Sequence, residues 1–314
     1  MWVSSPFASK FGFFKKIYVL IVRRIFYALF FLVATCGGNS MEEFGTANNS
    51  LQSVTHQALI YLNAGNYAAA ISYITSQDGA TQNNQTVREM LGEAYLGMCG
   101  FNFVDFYTNF SAGAAPSAFF AKLMYAFKGK TVDPSYCQLA QTTIELLPST
   151  NSNKSLLLLN TGMAKIGTVL KSHLDTNNDG LIDAALSRKY CPAAVGNSTI
   201  ATCTNNNGAC GLKKDMRYVI TGFGLIIMNF TGVINSLLGD SSLSATLTSV
   251  NSTCEAAVGG GGAGSCSITD PSSASLTANF QNSFRIILDD ANTFGFGNTA
   301  HCNLSAADVA TCCL

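Results

Sequence analysis

One short run, 175–183, carries the residues best suited to bind an ion. Its first, third and fifth positions hold side-chain oxygens, and the glycine at its sixth position allows a tight bend. Calcium prefers oxygen ligands of this kind, and the seventh residue can add a main-chain carbonyl. The run therefore predicts a structural calcium site, with the candidate ligands Asp175, Asn177, Asp179, Leu181 through its carbonyl, and Asp183.

The segment 175–186 resembles the calcium loops of EF-hands and dockerins, with Gly180 at the bend and the apolar Ile182 at the eighth position. The resemblance implies bound Ca²⁺ as a structural ion. Leu186 stands at the twelfth position, where such loops carry a carboxylate, so that ligand would have to come from Asp183, water or another acid. The alternative is an Asx-rich turn that caps the next helix.

Catalytic patterns are missing from the sequence. The three histidines, His56, His173 and His301, stand near no serine or cysteine motif typical of a nucleophile with its base. The glycine run 259–262 is not followed by Gly-Lys-Ser/Thr, so it is not a phosphate-binding loop. We therefore expect a protein that is not an enzyme.

The 11 cysteines indicate an oxidising compartment. An odd total is what one lipid-modified cysteine plus five disulfides would give. Proximity in sequence suggests the pairs Cys99–Cys137 and Cys254–Cys266 and one pair within 191–210, although connectivity does not follow from sequence.

The calcium-like loop must be positioned by helices. Apolar residues at helical spacing predict a helix over Leu156–His173, directly before the loop. The uncharged run Tyr218–Gly239 predicts a buried core helix, with a membrane span as the alternative. A further amphipathic helix is expected near Leu276–Asn292.

Upstream of that helix, two consecutive units of 34 residues, 51–84 and 85–118, predict helix-turn-helix pairs. Small and aromatic residues stand where two helices would cross, namely Ala58, Tyr61, Gly65, Tyr67, Ala70 and Tyr73 in the first unit, and Leu91, Gly92, Ala94, Tyr95 and Phe101 in the second, which Pro116 closes. The pattern resembles the tetratricopeptide repeat; the alternative is an ordinary pair of helical hairpins. The resemblance implies a scaffold that binds a protein or peptide, with Asn63, Asn66 and Tyr95 as candidate contact residues.

The first 35 residues indicate export. A basic segment ends at Arg23-Arg24, an apolar run follows, and Ala34-Thr35-Cys36 resembles the end of a bacterial lipoprotein signal. That resemblance implies a lipid on Cys36, with 36–50 as a tether. The alternatives are a signal peptide cut nearby with Cys36 in a disulfide, or an uncleaved anchor. Without the five basic residues of this segment, 13 basic residues stand against 18 acidic ones, which argues against binding nucleic acid.

Together these patterns predict an all-α protein: a tetratricopeptide-like array of helical hairpins over 51–150, extended by a disulfide-stapled helical region over 151–314. The expected function is a lipid-anchored scaffold of the bacterial cell envelope, at the outer membrane. One alternative is a small-molecule-binding lipoprotein of a transport system, which a deep apolar pocket between 91–127 and 218–239 would favour. Another is a secreted glycoprotein, because eight Asn-x-Ser/Thr sequons occur, among them Asn109, Asn197 and Asn251.

Overall fold

The computed structural model describes residues 50–112, 116, 118–182, 209–237, 255, 265–277, 280 and 284, and the side chains of 215–230 within the last long helix. Within these ranges the chain is mostly helical and contains no strand, which confirms the all-α class. The helices are α1 Leu51–Asn63, α2 Tyr67–Thr75, α3 Gly79–Gln82, α4 Gln85–Cys99, α5 Phe103–Phe110, α6 Phe119–Tyr125, α7 Pro134–Glu145, α8 Lys154–Leu174 and α9 Ala209–Leu237, followed by a 3-10 turn, Ser265–Ser267.

The first hairpin consists of α1 and α2. A polar cap sets its start, and a glycine sets its turn. The Ser50 hydroxyl accepts from the Ser53 N–H at 3.2 Å and caps α1. Gly65, at φ +68°, makes the turn in a left-handed conformation that costs glycine little. Val54 and Ala58 face inward and are fully buried. This hairpin matches the first predicted unit.

The second hairpin pairs α4 with α7, although the 34-residue register predicts α5 as the partner of α4. The helices run antiparallel, because the Arg88 Nη1 donates to the Leu146 carbonyl at 3.0 Å while Cys99 and Cys137 form a disulfide at the other end. Between them, a Cβ added to Gly92 would lie 2.6 Å from the Ile144 side chain. The close approach of the two helices therefore requires glycine at residue 92. Because α4 pairs with α7 and not with α5, tetratricopeptide-like stacking of the second unit is not confirmed.

The third hairpin consists of α8 and α9, which are also antiparallel. Two glycines face each other across it: a Cβ on Gly162 would lie 2.6 Å from the Gly222 carbonyl oxygen, and one on Gly222 would lie 2.8 Å from that of Gly162. Near one end, His173 Nε2 lies 2.9 Å from the Asp215 carboxylate. In α9, Met216 and the residues 219–226 are buried, as expected for a core helix, while Arg217 is exposed and Tyr218 is half-buried. Of the described helices, none combines the length and apolarity needed to cross a membrane.

The three hairpins stack in chain order. Helix α4 packs against both α1 and α2, and α8 packs against both α4 and α7. The first helices of the second and third hairpins are parallel, because Glu89 accepts from Asn153 at 3.0 Å near their starts and the Cys99 sulfur lies 3.7 Å from the Thr168 hydroxyl near their ends. The first helix of each later hairpin thus packs against both helices of the hairpin that precedes it.

Helices α5 and α6 are an insertion between α4 and α7. Helix α6 packs against α8, where a Cβ on Gly167 would lie 2.4 Å from the Phe127 ring. Phe106, Phe120 and Phe127 are almost fully buried, so the insertion is part of the main core. The first hairpin has a small separate core of Val54, Ala58 and Ile74, closed by Val87 of α4.

We expect loss of the Cys99–Cys137 disulfide to weaken the second hairpin. The bond joins residues 38 apart in sequence, so its removal releases that loop in the unfolded chain and lowers the free energy of unfolding by about 2–4 kcal/mol. Urea unfolding of the Cys99→Ala/Cys137→Ala variant measures this. An unfolding free energy equal to that of the wild type would contradict it.

Candidate functional site

The predicted contact residues Asn63 and Asn66 lie at the turn of the first hairpin, and both are exposed. Asn63 is the last residue of α1. Asn66 already has a structural role, because its Oδ1 accepts from the Ala69 N–H at 3.3 Å and caps α2. Asn63 is therefore the residue of the two whose side chain is more available to a partner.

Tyr95, the third predicted contact residue, faces the second hairpin. It is half-buried and stacks on Tyr136 of α7, with ring centroids 6.3 Å apart and planes at 27°. Burial, and then the neighbouring Tyr136, raises the pKa of the Tyr95 phenol. Two residues later, Gly97 faces the Tyr67 ring of α2. Tyr95 thus takes part in the packing of α4 on α7.

Helix α1 exposes a group of large apolar side chains that sequence reasoning did not single out. Leu51, Leu59 and Ile60 are 42%, 44% and 46% exposed. Leu51 stands in the same helical stripe as the buried Val54 and Ala58, whereas Leu59 and Ile60 lie outside it, which was their signal in the sequence. Single exposed apolar residues are ordinary, but Leu59 and Ile60 lie within one helical turn of the exposed Asn63, and the three make a surface that a partner could cover.

The calcium-like run folds into a compact turn over residues 175–181. The fully buried Asp175 carboxylate accepts from the main-chain N–H groups of Asp179 and Gly180, each at 3.0 Å. Asp179 accepts from the Leu181 N–H at 2.7 Å, and Gly180 adopts φ +82°. Asn177 Oδ1 accepts from the Asp179 N–H at 3.0 Å, and Asp183 lies outside the described residues. These bonds are those of an Asx-rich turn.

A lysine reaches into the same turn. Lys171 Nζ donates to Asp175 Oδ2 at 2.9 Å and also donates to Asn178 Oδ1. The side chains of Lys171 and Asp175 are 4% and 0% exposed, so they form a buried ion pair. This lysine was not among the predicted site residues, although its position four residues before Asp175 on a helix was a readable signal.

The described residues fit a calcium ion poorly. A divalent cation held by Asp175 would come within about 4 Å of the Lys171 ammonium, where repulsion at an effective dielectric of about 20 is about 8 kcal/mol. In the described part of the chain, no three histidine, cysteine or acidic side chains are grouped to hold a metal. Calcium binding at 175–186 stays a prediction of the sequence, and the ion pair disfavours it.

A second buried lysine, also missed from the sequence, lies where α7, α8 and α9 meet. Lys165 Nζ donates to Gln138 at 2.9 Å, to Gln141 at 2.5 Å and to the Thr221 hydroxyl at 2.9 Å. The three bonds satisfy all three donors of an ammonium. Burial lowers the pKa of Lys165 to about 7, against the raising effect of the Glu145 and Asp270 carboxylates. These three bonds tie α7, α8 and α9 together through neutral amide and hydroxyl oxygens.

The remaining predicted modification sites are described only in part. Cys36, Asn197 and Asn251 lie outside the described residues. Asn109 is a residue of α5, and its side-chain nitrogen, to which a glycan would attach, donates to the Ala126 carbonyl at 3.1 Å. Cys266 is disulfide-bonded, and its predicted partner Cys254 lies outside the described residues.

Aromatic side chains fill part of the region where a pocket for a transported small molecule would lie. Between α6 and α9, the Phe120 ring lies 6.0 Å from both Phe223 and Phe284, and those two lie 5.7 Å apart. All three side chains are buried. Rings packed at this distance leave no room for a ligand between them.

Comparison with known proteins gave no relative: no protein family, no curated protein and no solved structure matches this chain.

Proposed function

We propose that the chain is a lipid-anchored scaffold of the cell envelope that binds a protein or peptide through its helical hairpins. The observation that carries this proposal is the stacking order, in which α4 and α8 each insert against both helices of the preceding hairpin. Stacked hairpins of this kind make extended surfaces suited to polypeptide partners. The order also favours the tetratricopeptide-like arrangement, with α7 taking the place that the register assigns to α5.

The contact surface belongs at the first hairpin. At the third hairpin, α6 of the same chain packs against α8. At the first hairpin, Leu59 and Ile60 are exposed beside Asn63. Apolar anchors rimmed by polar groups are the usual composition of a binding patch. We therefore place the partner on α1, with Asn63 at the edge of the patch.

The envelope location follows from two features. The resemblance of the first 36 residues to a lipoprotein signal implies a lipid on Cys36, and the Cys99–Cys137 disulfide favours an oxidising compartment. A lipid on Cys36 would hold the first hairpin near a membrane surface, because only residues 37–50 separate the two in sequence. The proposed partner is therefore an envelope protein or peptide.

Site-specific photo-crosslinking in cells tests the proposal. A photoreactive residue at Asn63 is expected to give an adduct of one defined mass, while the same residue at the exposed Thr142 of α7 gives none. Adding Ile60→Asp should reduce the Asn63 adduct at least about fivefold, because a charge replaces an apolar anchor. Equal adducts at both positions, or an adduct that survives Ile60→Asp, would contradict the proposed surface.

A further inference from the structure

The turn at 175–181 contains a buried carboxylate, that of Asp175, whose charge must be compensated within the protein. Asp175 is fully buried and keeps its charge only where an opposite charge and hydrogen-bond donors compensate for lost water. Two main-chain N–H groups, from Asp179 and Gly180, provide part of that compensation. The remaining requirement is a cation, and in EF-hand-like loops this is a bound metal.

We infer that Lys171 is the built-in cation of this turn, so that the turn is held by a lysine of the chain and not by calcium. The Lys171 ammonium donates to Asp175 at the start of the turn and to Asn178 within it. Both partners of the ion pair are buried, which places the positive charge inside the turn. A metal would have to displace it.

Other cations near the turn are engaged elsewhere. Lys128, whose Cβ lies near Gly180, places its ammonium 5.2 Å from the Tyr125 ring, and the residue is exposed. His173 lies 2.9 Å from the Asp215 carboxylate. The Lys171 ammonium is the basic group in direct contact with the Asp175 carboxylate, at 2.9 Å.

The lysine also links the end of α8 to the insertion. The Gly129 N–H donates to the Asn178 carbonyl at 3.3 Å, and the Tyr125 ring lies so close to Gly180 that a Cβ there would be 2.9 Å from it. Asn178 itself adopts φ +70°, and its side chain accepts from Lys171. By fixing Asn178, the ammonium positions the turn against the end of α6. This role is independent of any partner bound at the first hairpin.

Calcium binding and thermal unfolding of the full chain test the inference. Because Tyr125 lies against the turn, terbium bound there would luminesce on tyrosine excitation. We expect no saturable terbium or calcium binding up to about 1 mM, the weak end of extracellular calcium sites, and the same Tm in calcium as in excess EGTA. Saturable binding of one ion, or a Tm several degrees higher in calcium, would overturn the inference.

Two lysine variants separate the role of Lys171 from general charge effects. In EGTA, Lys171→Met is expected to lower Tm by about 10 °C, because it leaves Asp175 buried without its cation. Lys128→Met, which removes an exposed lysine beside the same turn, should leave Tm within about 2 °C of the wild type. If Lys171→Met does not fold, Lys171→Arg keeps the charge and is expected to fold with calcium-independent Tm. Equal Tm values for the two methionine variants would overturn the inference.

Discussion

Replacing Gly162 with valine is expected to lower the free energy of unfolding by about 3 kcal/mol or more. The added side chain meets main chain: a Cβ at residue 162 would lie 2.6 Å from the Gly222 carbonyl oxygen, and Leu225 and Ile226 close the other sides. Main chain in a helix cannot turn away as a flexible side chain can, so α8 and α9 must separate. Their separation opens the most extensive helix contact of the described fold.

Urea unfolding followed by circular dichroism measures this loss. The matched control is Ser172→Val, which places the same β-branched residue at an exposed position of the same helix. That change carries the helix-propensity difference, about 0.5 kcal/mol or less, and removes the hydrogen bond from the Ser172 hydroxyl to the Val169 carbonyl. If Gly162→Val and Ser172→Val unfold at the same urea concentration, the close approach of the two glycines does not hold the hairpin together.

The helices themselves were predictable from the sequence, because each carries a local signal. The first hairpin follows from its caps and its glycine turn at residues 50–66, and α8 follows from its apolar spacing. The pairing of α4 with α7 followed only in part. The Cys99–Cys137 disulfide, which proximity in sequence suggested, joins the two helices. The contact of Gly92 with Ile144 could not be read from the 34-residue register, which gives no information on contacts across an insertion.

Of the two buried lysines, one could have been recognised from the sequence and the other could not. Lys171 and Asp175 are four residues apart on one helix face, so their ion pair could have been proposed from sequence. The hydrogen bonds of Lys165 could not have been proposed from the sequence, because its acceptors Gln138, Gln141 and Thr221 come from two other helices. A lysine in an apolar helix is more often exposed than buried, and only the fold shows which it is.

The buried Lys165 makes stability depend on pH in the basic range. Titratable side chains from the neighbouring elements lie near the Lys165 ammonium. They are Glu145 on α7, Tyr218 on α9, whose ring is 5.6 Å away, and Asp270 after the 3-10 turn. The two carboxylates favour the charged form, but burial outweighs them and lowers the pKa of Lys165 from 10.5 to about 7. The folded protein therefore loses this proton at lower pH than the unfolded chain.

The sign of the effect follows from proton binding. Below pH 7 both states hold the proton, and the folded state bears the full cost of a buried charge. Between pH 7 and 10.5 the unfolded chain holds one more proton, so the free energy of unfolding rises by up to about 1.4 kcal/mol per pH unit. Above pH 10.5 both states are neutral at this residue and the rise ends.

Urea unfolding of the wild type and of Lys165→Met at intervals from pH 6 to pH 10.5 isolates this contribution. Methionine has a similar length and no charge, so its variant should lack the rise while other groups titrate as before. We expect the difference in unfolding free energy between wild type and variant to grow with pH across the window. A constant difference would mean that the three acceptors hold the ammonium charged in the folded protein, with hydrogen bonding rather than burial setting its protonation.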